Sequence, residues 1–371
     1  MKVLYGVQGT GNGHISRARA MSKQLRECGI EVDYLFSGRE REKFFDMTEF
    51  GDWQCYKGLT FIHQAGDLKI WRTMQEASIT QLYRDIRDLD LEPYDLVITD
   101  FEPISAWAAK LKNKPCIGVG HQYAFEHNVP RRGADFVSRK IMDLFAPVKL
   151  GLGLHWHHFD QPILPPIVDL DHEDVEQDEN KILVYLGFEE SEEVIQLLEG
   201  FDDYTFTYYG PFAQYESRGH IQLKPLSRDG FKYDLATCSG VICNAGFELA
   251  SEAIQLGKKI LVKPLKGQME QLSNARALEE LQLGMTMPKL DKAITRRWLD
   301  DFTGERINYP NVAQAISQWI LEERWQQPNG REELVARLWS GVDAAAVVKG
   351  THVTNHEARE GQWPAAGYAA K

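Results

Sequence analysis

Short apolar runs alternate with helical periodicity along nearly the whole chain, and this alternation restricts the fold more than any other feature. KVLYGV (2–7) reads as a buried strand, a helix follows over about 15–28, and Gly29 suits its end. EVDYLF (31–36), YDLVITD (94–100), PCIGVG (115–120) and residues 148–154 read as further strands. Helices are predicted through 72–90, after Pro103 and over 136–145, while 40–69 has no regular period. A second alternation begins with KILVYLGF (181–188) and continues through TFTYYG (205–210), HIQLKPL (220–226), GVICNAG (240–246) and KKILVKPL (258–265). Its helices are predicted at 189–199, 247–257 and 269–282. Strands joined through helices pair in parallel, so the pattern predicts an α/β chain with doubly wound sheets.

The alternation is broken once, at QPILPPIVDLDHEDVEQDEN (161–180), where three prolines precede an acidic run. A length of 371 residues also fits two domains better than one. The expected organisation is a domain at 1–160, a linker and acidic loop at 161–180, and a second domain at 181–310. Helices at 311–350 would cross back to the first domain, and 351–371 would be a frayed tail.

Charge narrows the partners. A net charge of -12 argues against broad nucleic-acid binding and against an anionic membrane as a whole-molecule partner. No apolar run approaches the roughly 20 residues that span a bilayer. MKVLYGVQGTGNGH reads as a first strand ending in glycines, not as a secretory signal. Cys28, Cys55, Cys116, Cys238 and Cys243 are scattered and odd in number, as expected of reduced thiols in a cytosolic protein.

Two glycine turns carry the candidate chemistry. The first, Gly9-Thr10-Gly11-Asn12-Gly13-His14, lacks the sixth glycine of the dinucleotide fingerprint and the Gly-Lys-Ser/Thr of a phosphate loop. Gly9, Gly11, Asn12 and Gly13 would let an acceptor approach the backbone. His14 would act as general base on an acceptor hydroxyl, or would merely cap the helix. Asp100 and Glu102, at a strand's carboxyl end, would orient His14 or cap the following helix. His121 and Gln122 close the next strand on the acceptor side.

The second turn, Asn244-Ala245-Gly246, opens a helix at Phe247 and Glu248 whose N-terminus would receive phosphates. Glu252, inside that helix, would accept from sugar hydroxyls. Gln268, Glu270 and Gln271 follow the next strand, where ligands of open α/β sheets bind. Gly187 and Ser227 follow other strands of the same half and complete the expected donor-binding set. No metal is expected. His155, Trp156, His157 and His158 lack matching ligands nearby and read as a cleft wall, and no Asp-x-Asp pair sits at a strand's carboxyl end.

GTGNGHISRARA (9–20) and NAGFELASEAIQLGKKILVKPLKGQMEQLSNA (244–275) together resemble glycosyltransferases of the GT-B fold. The resemblance is to the family 28 type, which includes the peptidoglycan N-acetylglucosaminyltransferase. It is nearest to a bacterial and archaeal glycosyltransferase-like group with the same paired motifs, and it covers about residues 1–325. It implies two Rossmann-like domains facing across a cleft, the acceptor on the first and the nucleotide sugar on the second. By position, Glu252 resembles the glutamate that holds the ribose hydroxyls. Gly246 resembles the glycine at the diphosphate-binding helix, and Glu270 and Gln271 the pair that reads donor-sugar hydroxyls. His14 resembles the cleft histidine.

The activity implied is metal-independent and cofactor-free. A hexosyl or N-acetylhexosaminyl group would pass from a nucleoside-diphosphate sugar, a UDP-sugar by resemblance, to an acceptor hydroxyl. The acceptor would be lipid-linked or a glycan of the cell envelope. A nucleotide-sugar 2-epimerase of the same fold and a donor-binding protein without turnover remain open as alternatives. The expected location is cytoplasmic, with peripheral contact at the inner face of the membrane if the acceptor is a lipid. Arg131, Arg132, Arg139 and Lys140 bracket Phe136 and Val137 there, although a solvated helix with a buried apolar side gives the same pattern.

Overall fold

Apolar strands buried on both faces require helices on both sides, and the chain meets that requirement twice. The computed structural model describes residues 1–59, 63–64, 67–68, 79–133, 136–169 and 175–342. Its first sheet contains β1 (Lys2–Gln8), β2 (Glu31–Ser37) and β3 (Gln54–Tyr56). A separate antiparallel hairpin joins β4 (His63–Gln64) to β5 (Asp67–Leu68). The first sheet is completed by β6 (Leu96–Asp100), β7 (Cys116–Gly120) and β8 (Leu150–Gly153). Its order is β3-β2-β1-β6-β7-β8, parallel throughout.

The second sheet contains β9 (Asp178–Tyr185), β10 (Thr205–Gly210), β11 (Glu216–Arg218), β12 (Ile221–Pro225), β13 (Cys238–Cys243), β14 (Lys259–Val262) and β15 (Met285–Thr286). Its order is β11-β12-β10-β9-β13-β14-β15, parallel except for the edge strand β11. Each sheet reverses its winding beside its first strand. The switch points lie between β1 and β6 and between β9 and β13. Open α/β sheets bind ligands at such points. Both glycine turns, after β1 and after β13, therefore fall where a ligand is expected.

The halves share one apolar core. His121 stacks on Phe247 with centroids 4.0 Å apart and planes 5° from parallel. The Trp156 indole donates to Ser251 Oγ at 2.9 Å, and His121 Nε2 lies 2.6 Å from Asn274 Oδ1. The helix Val312–Leu321 packs against the helix Asn12–Glu27, so the chain returns to the first half after the second sheet. Val312, Ala313, Ile316, Trp319 and Ile320 are its buried apolar face.

Several elements differ from the expectation. Residues 161–168, within the expected linker, are packed: Ile163 and Leu164 are buried, Leu164 N donates to Gly153 O, and Trp339 Nε1 donates to Ile163 O. The strand β9 begins at Asp178, inside the acidic stretch expected as loop. Helices at Arg228–Thr237 and Lys292–Asp301 were not anticipated. The expected tail at 351–371, the last residues of the helices expected at 311–350 and acidic residues 170–174 lie outside the described residues. So do most of 60–78 and the side chains of Phe136, Val137 and Arg139. Among the described residues, no helix is long and apolar enough to cross a membrane.

Ile316 is fully buried where the returning helix meets the core. Ile316→Ala is expected to lower stability by about 2–5 kcal/mol through lost burial and a residual cavity. Urea unfolding followed by circular dichroism measures the loss.

Candidate active site

The turn after β1 needs glycine for space. A Cβ on Gly9 would stand 2.5 Å from the Phe44 ring and 2.8 Å from Ser37 O. A Cβ on Gly13 would stand 2.7 Å from Glu248 Oε2, because the Asn12–Glu27 helix here meets the helix Phe247–Gln255. Gly11 precedes the first helix without a side-chain cap. Asn12 accepts from Arg39 Nη1 at 3.2 Å and donates to the Tyr185 hydroxyl of the other half at 3.5 Å.

His14 lies in the first turn of this helix, with Nδ1 2.7 Å from Asp100 Oδ1. With Nδ1–H donating to that carboxylate, Nε2 keeps the free lone pair; Arg17 Nη2 lies 3.0 Å from the same Nδ1. Arg17, one helical turn on, donates from Nε to Asp100 Oδ2 at 2.7 Å and from Nη2 to Oδ1 at 2.5 Å. Its remaining edge, Nη1, donates to Glu248 Oε1 in the other half. Arg17 is 1% exposed and Asp100 is fully buried. Burial alone would favour a neutral Asp100, but Arg17 and His14 outweigh it and hold the carboxyl below its ordinary value.

Of three further expected residues, Glu102 caps a helix, His121 packs in the core and Gln122 bridges the halves. Glu102, offered as an orienting partner for His14, is the cap of the helix Pro103–Leu111. Its carboxylate accepts from Ile104 N at 2.9 Å, Ser105 N at 2.7 Å and Ser37 Oγ at 2.7 Å. Pro103 at the first helical position explains why the cap prevails. His121 is fully buried, bonded to Leu154 O and Asn274 and stacked on Phe247. Burial pushes its imidazole below the ordinary range, against the pull of the two oxygens it bonds. Gln122 donates from Nε2 to Glu270 at 3.2 Å, across the halves. Its Oε1 is buried without a hydrogen-bond partner.

On the donor side a pocket opens between the halves. Asn12, Gly13, Ser16 and Arg19 line it from the first half. Tyr185, Ser227, Phe231, Glu248 and Glu252 line it from the second. Glu252 is 9% exposed, and its carboxylate has no hydrogen-bond partner among the described residues. Burial raises its carboxyl to about 7. Gly246 precedes the Phe247–Gln255 helix with no side-chain cap, leaving the first N–H groups unpaired within the helix. Phe247, expected at the donor, is instead buried against His121, because an aromatic ring at a helix start is drawn into the shared core. Ser227 caps the Arg228–Thr237 helix by accepting from Gly230 N at 3.2 Å. Gly187 stands in the turn after β9, at the switch point.

The loop after β14 divides its residues. Gln271 Oε1 accepts from Leu265 N at 2.9 Å and so holds the loop itself. Gln268 precedes an uncapped helix, Met269–Glu280, and its Oε1 is buried without a partner. Glu270 faces Gln122.

Arg17 is the residue that sequence reasoning missed. The available signal was its spacing: three residues after His14, on the same helical face, within reach of whatever His14 reaches. Lys232 was missed too. Its ammonium bonds Asp169 Oδ2 at 2.6 Å while lining the pocket beside Glu252. Arg131, offered as a membrane cation, instead donates to the carbonyls of Phe125 and His127. Among the described residues no group of three or more His, Cys, Asp and Glu could hold a metal, and all five cysteines are free.

The family model described as glycosyl transferase family 1 matches residues 1–151 and 154–303. Two uncharacterized glycosyltransferases are similar in sequence. That of Methanosarcina acetivorans is 26% identical over 137 residues, which is 36% of this chain and 35% of that protein. That of Methanosarcina mazei is 24% identical over 351 residues, covering 81% of this chain and 90% of that protein. In fold, the chain is similar to the glycosyltransferase SnogD from Streptomyces nogalater. The TM-score is 0.52 at 17% identity, covering 92% of this chain and 99% of that one. The fold is thus the GT-B arrangement of two Rossmann-like domains facing across a cleft.

Asp100→Asn is expected to cost about 3–5 kcal/mol, since it leaves Arg17 buried beside a neutral amide. The sign with pH follows from the lowered folded-state value. The contribution of ionised Asp100 is present above the ordinary value of 3.8 and is lost as pH falls through the lower folded value. Denaturant melts at neutral and strongly acid pH should therefore show the gap between wild type and Asp100→Asn closing in acid.

Proposed function

Because the chain belongs to glycosyl transferase family 1, we propose that it moves a sugar from a nucleoside-diphosphate donor to an acceptor hydroxyl without a metal. One observation carries the reading: the His14–Asp100 pair at one switch point stands beside the uncapped Phe247 helix and the Glu252 pocket at the other. His14 Nε2 takes the proton of the acceptor hydroxyl, and the oxygen attacks the anomeric carbon. The bond from that carbon to the phosphate oxygen breaks, and the nucleoside diphosphate leaves with the electron pair. The unpaired N–H groups at the start of the Phe247–Gln255 helix meet its charge.

Glu252 accepts from the two ribose hydroxyls, which supply the partners its buried carboxylate lacks. Phe231 and the Leu226–Ser227 turn line the pocket where the base is placed. Gln268 and Glu270 are the proposed readers of the donor sugar. A UDP-sugar donor, a hexosyl or N-acetylhexosaminyl group and a lipid-linked or glycan acceptor at the cytoplasmic face rest on the family 28 resemblance of the two motifs.

Thermal shifts against the diphosphates of uridine, thymidine, guanosine and adenosine, and against their sugars, test the donor directly. Stabilisation by none of them would sink the reading. Glu252→Ala is expected to weaken the bound nucleotide about 10- to 100-fold, as for lost hydrogen bonds to a charged group of about 1.5–3 kcal/mol. His14→Ala should keep donor affinity and lose about 10²- to 10⁴-fold in transfer. Full transfer by that variant would refute the base assignment.

Hydroxyls that donate to Glu252 favour its ionised form. Nucleotide affinity should therefore rise as pH increases through about 7. Calorimetric titrations on either side of that value should show the rise in wild type and none in Glu252→Gln.

A further inference from the structure

We propose that Arg17 is the counter-ion of the donor diphosphate, and that the Glu248 carboxylate competes with the diphosphate for it. The inference rests on the reading that the donor is a nucleoside-diphosphate sugar. A guanidinium offers its donors in a fixed fork. In Arg17 one edge, Nε and Nη2, is committed to Asp100 within the first half. The other, Nη1, faces the second half, where Glu248 takes it. Glu248 is the second residue of the Phe247–Gln255 helix, so its carboxylate stands at the helix start that would receive the phosphates.

Charge makes the two anions rivals. Arg17 is the cation bonded to both Asp100 and Glu248, and Glu270 adds to the negative field around it, while the pocket's other cations, Arg19, Arg228 and Lys232, are each paired with another carboxylate. A diphosphate brought to the same helix start meets an excess of carboxylate unless one gives way. Asp100 has no exposed path, whereas the Glu248 side chain is 16% exposed and lines the pocket. Glu248 is therefore the group that moves. Its departure would strand a buried Nη1, which is costly unless another acceptor arrives, and a phosphate oxygen is such an acceptor.

Two further groups point to a ligand at this spot. Glu252, nine-tenths buried, lines the same pocket without a hydrogen-bond partner among the described residues. Gln122 Oε1, also buried and unpartnered, is an acceptor that a hydroxyl of the donor's sugar would satisfy. A Cβ on Gly120 would be 3.3 Å from that oxygen and 3.5 Å from Arg17 Nη2.

The test titrates the full chain with the four nucleoside diphosphates named above and with their monophosphates, for wild type, Glu248→Gln and Glu248→Ala. Removal of the competing charge is expected to tighten diphosphate binding about tenfold, equivalent to about 1.4 kcal/mol. Monophosphate binding should change less than about twofold, because a monophosphate carries no second phosphate to reach Arg17. Glu248→Ala guards against a glutamine that still accepts from Arg17. Weaker diphosphate binding, or equal changes for mono- and diphosphates, would overturn the proposal and leave the pair as a plain clamp between the halves. Glu252→Ala separates the two readings. If it weakens the diphosphate while neither Glu248 variant tightens it, only this proposal falls. If no diphosphate binds any of the proteins, the donor reading falls and this proposal with it.

Discussion

A buried guanidinium can persist only where anions meet it, and Arg17 finds them on two separate stretches of chain. Asp100 comes from the end of β6 and Glu248 from the helix after β13. Removing either leaves charge in a low-dielectric site, at a cost of several kcal/mol. The same side chain therefore fixes two things at once. It sets Asp100, which orients His14, and it ties the start of the Phe247–Gln255 helix to the first half through Glu248. The glycine at position 13 is a consequence: the two helices approach until a Cβ would touch the Glu248 carboxylate.

The helix starts repeat the pattern. Helices at Pro103–Leu111, Arg228–Thr237, Lys292–Asp301 and Val312–Leu321 are capped by Glu102, Ser227, Asp291 and Asn311. The starts at Gly11, Gly246 and Gln268 have no such cap. A missing cap costs about 0.5–2 kcal/mol. Absence alone marks nothing, since the helices after Glu190 and Asn329 also lack one. The starts at Gly11, Gly246 and Gln268 follow β1, β13 and β14 at the carboxyl ends of parallel strands, as the start at Glu190 follows β9, whereas the start at Asn329 follows another helix. There, N–H groups left free are available to an anion.

Much of this architecture was legible because strand and helix periods differ and because glycine turns stand out. The helix Arg228–Thr237 was not, since RDGFKYDLAT is polar and contains Gly230, so its period is weak. It buries Leu235 and Ala236 together with Asp234, which meets Lys181, Lys224 and Tyr209. Arg17 was legible only as a neighbour of His14 on one helical face. An arginine three residues after a histidine reads as a solvated face, and only an aspartate 83 positions away makes it a buried ion pair. Phe247 and His121 fail in the opposite sense. Their types suit a ligand site, yet they stack on each other and are buried in the core that joins the halves.

The contacts that join the halves separate into two kinds. The His121–Phe247 stack, the Trp156–Ser251 bond and the His121–Asn274 bond are neutral and buried. The Arg17–Glu248 pair is ionic and borders the pocket. Neutral packing depends little on the charge that a nucleotide brings, whereas the ion pair depends on it directly. The interface can therefore keep its geometry while Glu248 is exchanged for phosphate. Domain opening is then not required for the exchange, which fits a 161–168 segment that is itself packed and hydrogen-bonded. Adjustment on donor binding concentrates in one side chain at a helix start, and the distance from His14 to that helix stays set by the core around Phe247.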